Sequence, residues 1–291
     1  MAVPGGTSAG AGGPAESAVL PAMKPERILI STYFALRPTT YKAGGAVFVL
    51  INEGRLLVSE TGTGQGQTIS PLLANIYLHY VLDEWFEHEV KPRLKGAAHE
   101  IRFADDAVLC FQYREDAEKV MEVLPKRFAR YGLTLHPEKT RLVDFGRYAE
   151  EHAKRQEKKP ATFDFLGFTH ICARSRRGKF TVNVRTMKKR LRRGLTAIAE
   201  WCRTNRHEPV EEQQQTLNAK LRGHYQYYGR PSNSRSIWQF YRTVCNIWRK
   251  WLSRRTRGKG MTWEKYKALL RRHPLLLPRI AHSWNWAGSS A

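Results

Sequence analysis

The chain has only four cysteines, at 110, 172, 202 and 245, and none forms a Cys-x-x-Cys pair. Such spacing argues against a zinc module and against a disulfide-stapled secreted scaffold. Three of the four sit among apolar neighbours and read as buried thiols. No apolar run approaches the ~20 residues of a membrane span. No basic stretch followed by an apolar core opens the chain, so no secretory signal is read there, and a cytoplasmic protein is expected. Aspartate is absent before Asp83. Acidic residues are also scarce late in the chain. Residues 174–291 hold 5 Asp and Glu against 28 Lys and Arg, whereas residues 1–173 hold 21 of each. The whole formal charge of +23 therefore belongs to the last two-fifths of the sequence. So one-sided a field attracts a polyanion and speeds the encounter. The 8 Trp and 12 Tyr add rings on which bases can stack.

The acids that are present have one conspicuous pair. Residues 101–111 read Ile-Arg-Phe-Ala-Asp-Asp-Ala-Val-Leu-Cys-Phe. Ile101, Phe103 and Ala104, then Ala107 to Cys110, predict two buried strands, with Asp105 and Asp106 in a tight turn between them. Asp forms turns readily, so an exposed hairpin tip satisfies the pattern without any chemistry. Two carboxylates between strands this apolar also repel each other and resist desolvation. A divalent cation with a taste for hard oxygen ligands, such as Mg²⁺, relieves both problems.

Around this pair the periodicities predict an α+β chain. Residues 1–22, rich in Gly, Ala, Ser and Pro, predict a disordered tail. Strands are expected at 46–51 and 56–58, joined around Asn52-Glu53-Gly54. Ser70-Pro71 is a strong helix start, and Leu72, Leu73, Ile76, Tyr77, Tyr80, Val81 and Trp85 predict one core-facing helix to about residue 90. A helix over 114–131 is closed by Gly132. A charged surface linker is expected over 147–160 and a strand pair over 163–171, with Gly167 permitting close backbone approach. A short strand at 180–184 leads to helices over 187–203, 210–228, 237–253 and 263–270. Lys188, Lys189, Arg190, Arg192 and Arg193 crowd the first turns of the 187–203 helix. Cations there oppose the helix dipole, a cost that bound phosphates relieve.

Several motifs carry a resemblance. Phe103-Ala104-Asp105-Asp106 resembles the (Tyr/Phe)-x-Asp-Asp hairpin of reverse transcriptases. Gln65-Gly66-Gln67-Thr68-Ile69-Ser70-Pro71-Leu72-Leu73-Ala74-Asn75 is similar to the Pro-Gln-Gly-x-x-x-Ser-Pro-Leu-Leu-x-Asn segment of group II intron reverse transcriptases. Gly64 stands where that family has Pro, and Gln67 where it has Gly. His136-Pro137-Glu138-Lys139-Thr140 and Phe163-x-Phe165-Leu166-Gly167-Phe168 follow in the family's order. Tyr225-Gln226-Tyr227-Tyr228-Gly229 with Asn233 resembles the signature of the maturase thumb.

The resemblance implies a partial polymerase palm, an antiparallel sheet with helices, followed by an all-helical thumb/maturase domain. The expected division is a non-family or disordered segment at 1–45, a partial palm at 46–173 and an RNA-binding helical domain at 174–286. The implied activity is RNA-directed DNA polymerisation, with Asp105 and Asp106 as catalytic, Mg²⁺-binding residues. Gln65, Gly66 and Lys139 would contact nucleotide and template. Phe165, Leu166 and Gly167 would lie at the primer end, although Phe165 and Phe168 serve equally as plain core. Arg176, Arg177, Lys188, Lys189, Arg192, Arg193, Arg254, Arg255 and Arg257 would bind RNA. The implied partners are intron RNA, an RNA/DNA duplex and, in an active protein, dNTPs. The family places a third metal-binding Asp on an earlier palm strand, and this chain offers none there. A truncated or degenerate member is therefore expected, one that polymerises, retains only RNA binding, or receives its missing palm from a separate polypeptide.

Overall fold

The computed structural model describes residues 28–33, 48–52, 55–59, 70–137, 139–255 and 260–282. In chain order the elements are β1 (Ile28–Tyr33), β2 (Phe48–Asn52), β3 (Arg55–Ser59), α1 (Ser70–Leu78), β4 (Ala98–Phe103), β5 (Asp106–Phe111), α2 (Arg114–Arg130), β6 (Arg141–Asp144), α3 (Ala149–Arg155), β7 (Thr162–Phe165), β8 (Phe168–Arg174) and β9 (Phe180–Thr186). Four helices complete the chain: α4 (Lys188–Thr204), α5 (Val210–Tyr228), α6 (Ser234–Ser253) and α7 (Trp263–Arg272). The expected mixed α+β architecture is present. The expected strand pair around residues 52–54 is the separate β2–β3 hairpin.

The central sheet is antiparallel, in the order β4-β5-β1-β6. Its middle strand β5 is apolar on both sides because both faces are covered. Ala107, Leu109 and Phe111 pack with Leu78, Leu82 and Phe86 and with Leu124 and Phe128 of α2. Val108 and Cys110 point the other way, onto Val143, Phe145, Phe163 and Phe165. A second antiparallel sheet, β7-β8-β9, forms that other layer. The helices α4 to α6 and Tyr266 of α7 enclose a separate core built on Leu217, Leu221, Tyr225, Val244 and Trp248.

The structure departs from the sequence expectations in four places. First, β1 comes from the stretch 1–45 that was expected to stand outside the palm, yet it pairs with both β5 and β6. Its sequence, Ile-Leu-Ile-Ser-Thr-Tyr, is a β-branched and aromatic run that suits an inner strand. Likewise, the boundary expected at 173/174 falls inside β8, and the second sheet runs on through β9. Second, the helix over 70–90 is not uniform. Beyond Leu78 it widens into π-helical turns at His79–Asp83 and Trp85–Val90. These i→i+5 turns change the angular step beyond Leu78, and even within the regular α1 the stripe read at 3.6 residues per turn does not all face inward. Leu72, Ile76 and Tyr80 are exposed, while Leu78, Val81, Leu82 and Phe86 are buried. Third, the expected linker contains α3. Its Glu150 and Glu151 occupy the first turn and His152, Lys154 and Arg155 the last, in the sense the helix dipole favours, and Arg174 bridges to both acids. Fourth, all four cysteines are buried free thiols, one more than expected.

Candidate active site

The two strands of the acidic hairpin pair from Ala98↔Phe111 to Phe103↔Asp106. The turn is therefore Ala104-Asp105, one residue earlier than the Asp-Asp turn expected. Ala104 takes a positive φ of 53°, which is costly for a residue with a Cβ and is tolerated where the surroundings over-determine it. Asp105 is exposed at the tip and Asp106 is half-buried at the start of β5. In strand phase Asp106 follows Val108 and Cys110, so it faces the second sheet rather than the helix layer.

Burial and the neighbouring Asp105 raise the Asp106 carboxyl above the usual carboxylate range, while Lys139 and Arg190 oppose the rise. Lys139 follows the turn at His136, where it donates its backbone N–H to the His136 carbonyl. Arg190 comes from the first turn of α4. The helix α4 thus brings a cation to Asp106, and the sequence names Arg190 only as one of five cations at that helix start, not as a neighbour of the acidic hairpin. Its signal there was the basic crowding of the helix start, which does not say which of five cations faces the hairpin.

On β1 the residue in register with Asp106 is Tyr33. No residue of that strand is acidic. Among the described residues no group of three His, Cys, Asp or Glu side chains is placed to hold a metal. The donor set is two adjacent carboxylates. That suits one Mg²⁺, which keeps several waters and is commonly held by one or two carboxylates together with substrate phosphates. It falls short of a three-carboxylate, two-metal arrangement.

The residues expected at the primer end lie at a second hairpin. β7 and β8 are joined by Leu166-Gly167, both with positive φ, 48° and 79°, as a two-residue type I′ turn requires. The Tyr227 hydroxyl donates to the Leu166 carbonyl at 2.8 Å. The Tyr227 ring stacks on Phe168 at 5.7 Å, and Tyr228 meets the same ring edge-on. Phe165 is buried, packed with Val108, Cys110 and Phe163. The joint is completed by Asn233. Its carbonyl oxygen accepts from the Thr186 N–H at 2.8 Å, and its amide donates to the Thr186 hydroxyl and the Tyr228 carbonyl. Asn233 is fully buried, so every one of these bonds is worth more than it would be in water.

The cations expected to meet RNA fall into three groups. Arg176 and Arg177 stand exposed in the β8–β9 turn, and Lys188, Lys189, Arg192 and Arg193 are exposed on α4. At the end of α6, Arg254 lies over the Trp251 ring at 4.8 Å, and Arg255 donates to the Glu208 carbonyl. Arg255 is therefore engaged within the protein. Gln65, Gly66 and Arg257 lie outside the described residues.

The chain belongs to the reverse transcriptase (RNA-dependent DNA polymerase) family, whose model matches residues 15–170, more than half of the sequence. The match is to the family as a whole. No curated protein matches significantly. Among solved structures the chain is similar to telomerase from Candida albicans, solved with a fragment of telomeric RNA, at 13% identity and a TM-score of 0.36. The similarity covers 85% of this chain and 46% of that one. The chain thus spans less than half the length of that protein, and a likeness this distant transfers neither mechanism nor partner.

Proposed function

We propose that this chain is a reverse transcriptase of the group II intron type, with a palm over residues 28–186 and a maturase-like thumb from Lys188 onward. It holds structured RNA, and a primer paired to it, between the acidic hairpin and the basic face of α4. The observation that carries this reading is the convergence on Asp106 of Lys139 from the palm and Arg190 from the thumb. A half-buried acid close enough to two cations to feel their charge, beside a second, exposed acid, suits a phosphate chain joined to a divalent cation.

In this reading Asp105 and Asp106 are the Mg²⁺ ligands and the catalytic pair. The bound cation would neutralise charge on phosphate oxygens and ease deprotonation of a primer hydroxyl. Lys139 and Arg190 would pair with the phosphates as they displace the Asp106 contact. Gln65 and Gly66 would lie against nucleotide and template. Leu166 and Gly167, fixed from behind by Tyr227, would seat the primer end. Arg176, Arg177, Lys188, Lys189, Arg192 and Arg193 would follow the RNA backbone, with Arg254 and Arg257 at the far end of the thumb.

Primer extension on an RNA template in Mg²⁺, with wild type beside Asp105→Ala, is the test. Extension that disappears in the variant supports polymerisation. Tyr33 opposite Asp106, and the absence of an acid on β1, favour a second reading in which the chain binds RNA without polymerising. Extension at background in both proteins, with RNA binding that weakens steeply as salt rises, would select that second reading. A palm strand supplied by a separate polypeptide would appear as extension restored only when that partner is present.

A further inference from the structure

Arg102 lies on β4, one residue before the exposed Phe103, on the strand face that points to the helix layer. Its guanidinium forks onto Asp83, Nε to Oδ1 and Nη2 to Oδ2, both at 2.6 Å. Its Nη1 donates in two further directions, to the Asn75 side-chain carbonyl at 2.9 Å and to the backbone carbonyl of Ala104 at 3.0 Å. Four of its five possible N–H bonds are thus accounted for. The side chain is 13% exposed and that of Asp83 is 29% exposed, so the pair is held out of most solvent, where a bidentate contact is stiff and directional.

The three anchors come from different places. Asn75 belongs to α1. Asp83 ends the first π-helical turn of the same run. Ala104 is the strained turn residue beside Asp105. A positive φ at an alanine persists only if something fixes its neighbours, and Arg102 grips its carbonyl directly. We propose that Arg102 is a positioning residue that ties the Ala104-Asp105 tip to α1, so that the two acids and that helix keep one relative geometry. This rests on the reading of Asp105 and Asp106 as metal ligands. It concerns a side chain on the opposite face of the sheet from Asp106, one that touches neither substrate nor metal.

The test uses the full chain and two readouts, amide hydrogen exchange at residues 104–106 and Mn²⁺ binding followed by electron paramagnetic resonance. Arg102→Lys keeps a cation beside Asp83 but cannot fork onto three partners. Asn75→Ala removes only the bond to α1 and leaves the ion pair intact, which keeps the question answerable if the Lys variant folds poorly. The expected result is faster exchange at the tip, with residues 108–111 of β5 unchanged, and Mn²⁺ affinity reduced by about tenfold in Arg102→Lys, the lower end for a residue that orients metal ligands. Unchanged tip exchange in both variants overturns the proposal. Wild-type protein that binds Mn²⁺ no better than Asp105→Ala would instead sink the metal-ligand reading, and the exchange measurement would still decide the role of Arg102.

Discussion

The palm hairpin and the thumb core solve opposite problems. Around the hairpin, polar groups are drawn inward: Arg102, Asp83 and Glu100 lie under the sheet, and Asp106 is half-buried. In the thumb, charge is kept outside and aromatic bulk is kept in. Lys188, Lys189, Arg192 and Arg193 are exposed, while Trp248, Tyr225 and Phe240 are buried. A buried ion pair contributes little net stability, and its use lies in fixing geometry. An apolar core stabilises strongly and specifies less. The contrast teaches where each half is expected to fail: the palm by loss of alignment, the thumb by loss of folding.

The largest effect should come from the palm acids. Asp105→Ala, measured by primer extension, is expected to reduce product to background while leaving the melting temperature near that of wild type, because Asp105 is exposed at the tip. A comparable loss of activity from a thumb surface substitution away from Arg190 and the cations assigned to RNA would break the division between the two halves. The next largest effect belongs to the thumb. Trp248 is fully buried and its indole N–H donates to Gln213 at 3.0 Å. Trp248→Ala should cost about 3–5 kcal/mol in denaturant unfolding and release the orphaned Gln213 amide oxygen as well. A loss below about 1 kcal/mol would mean that this core does not hold the thumb.

The two halves also carry opposite pH signatures. Burial, then the charge of Asp83, pushes the Glu100 carboxyl up to about 8. Burial opposes ionisation of Asp83 too, but the hydrogen bonds and charge of Arg102 outweigh it and hold that carboxyl below its usual range. The folded state therefore keeps a proton on Glu100 that the unfolded chain has released above 4.5. Its stabilisation is complete below that value and is lost as pH rises toward about 8. In the thumb, burial lowers His224 to about 4. The unfolded chain gains that proton first, near 6.5, so this contribution is lost as pH falls from 6.5 toward about 4. Residue-resolved hydrogen exchange, corrected for its intrinsic pH dependence, should show the palm loosening as pH rises from 4.5 to about 8 and the thumb loosening as pH falls from 6.5 to about 4. Glu100→Gln should flatten the alkaline limb alone; an unchanged limb would assign it to another group.

How much of this was legible in the sequence depends on the range of the interaction. The hairpin strands, the Gly132 helix stop, the positive-φ Gly167 turn and the thumb helices follow from local periodicity and turn chemistry. β1 was not read, because Ile28–Tyr33 is too short to declare its partners, and its place between β5 and β6 is a long-range pairing. The exposed face of α1 is not legible in the pattern, because Leu72 and Ile76 lie in regular helix and their exposure depends on what packs beside it; the widened turns shift the phase only beyond Leu78. At the site, Asp105, Asp106 and Lys139 were visible as motif residues. Arg190 and Arg102 were not, since facing Asp106 or reaching Asn75 depends on packing between segments far apart in the chain.

The smallest effect concerns the joint between the halves, and it tests whether they communicate. A Cβ at Gly167 would stand 3.1 Å from the Tyr228 hydroxyl, and the φ of 79° disfavours any L side chain. Gly167→Ala should therefore cost about 1–2 kcal/mol from the backbone alone, plus whatever displacement Tyr228 requires. Tyr227→Phe removes one hydrogen bond to Leu166 and keeps the ring stacked on Phe168, so about 1 kcal/mol is expected. Because both residues act on the same two-residue turn, their effects should not add in a double-mutant cycle. Strict additivity would mean that the thumb merely rests on the palm. A coupling above about 0.5 kcal/mol would mean that the tyrosine pair holds the Leu166-Gly167 turn in the form glycine allows, so that thumb position and hairpin shape change together.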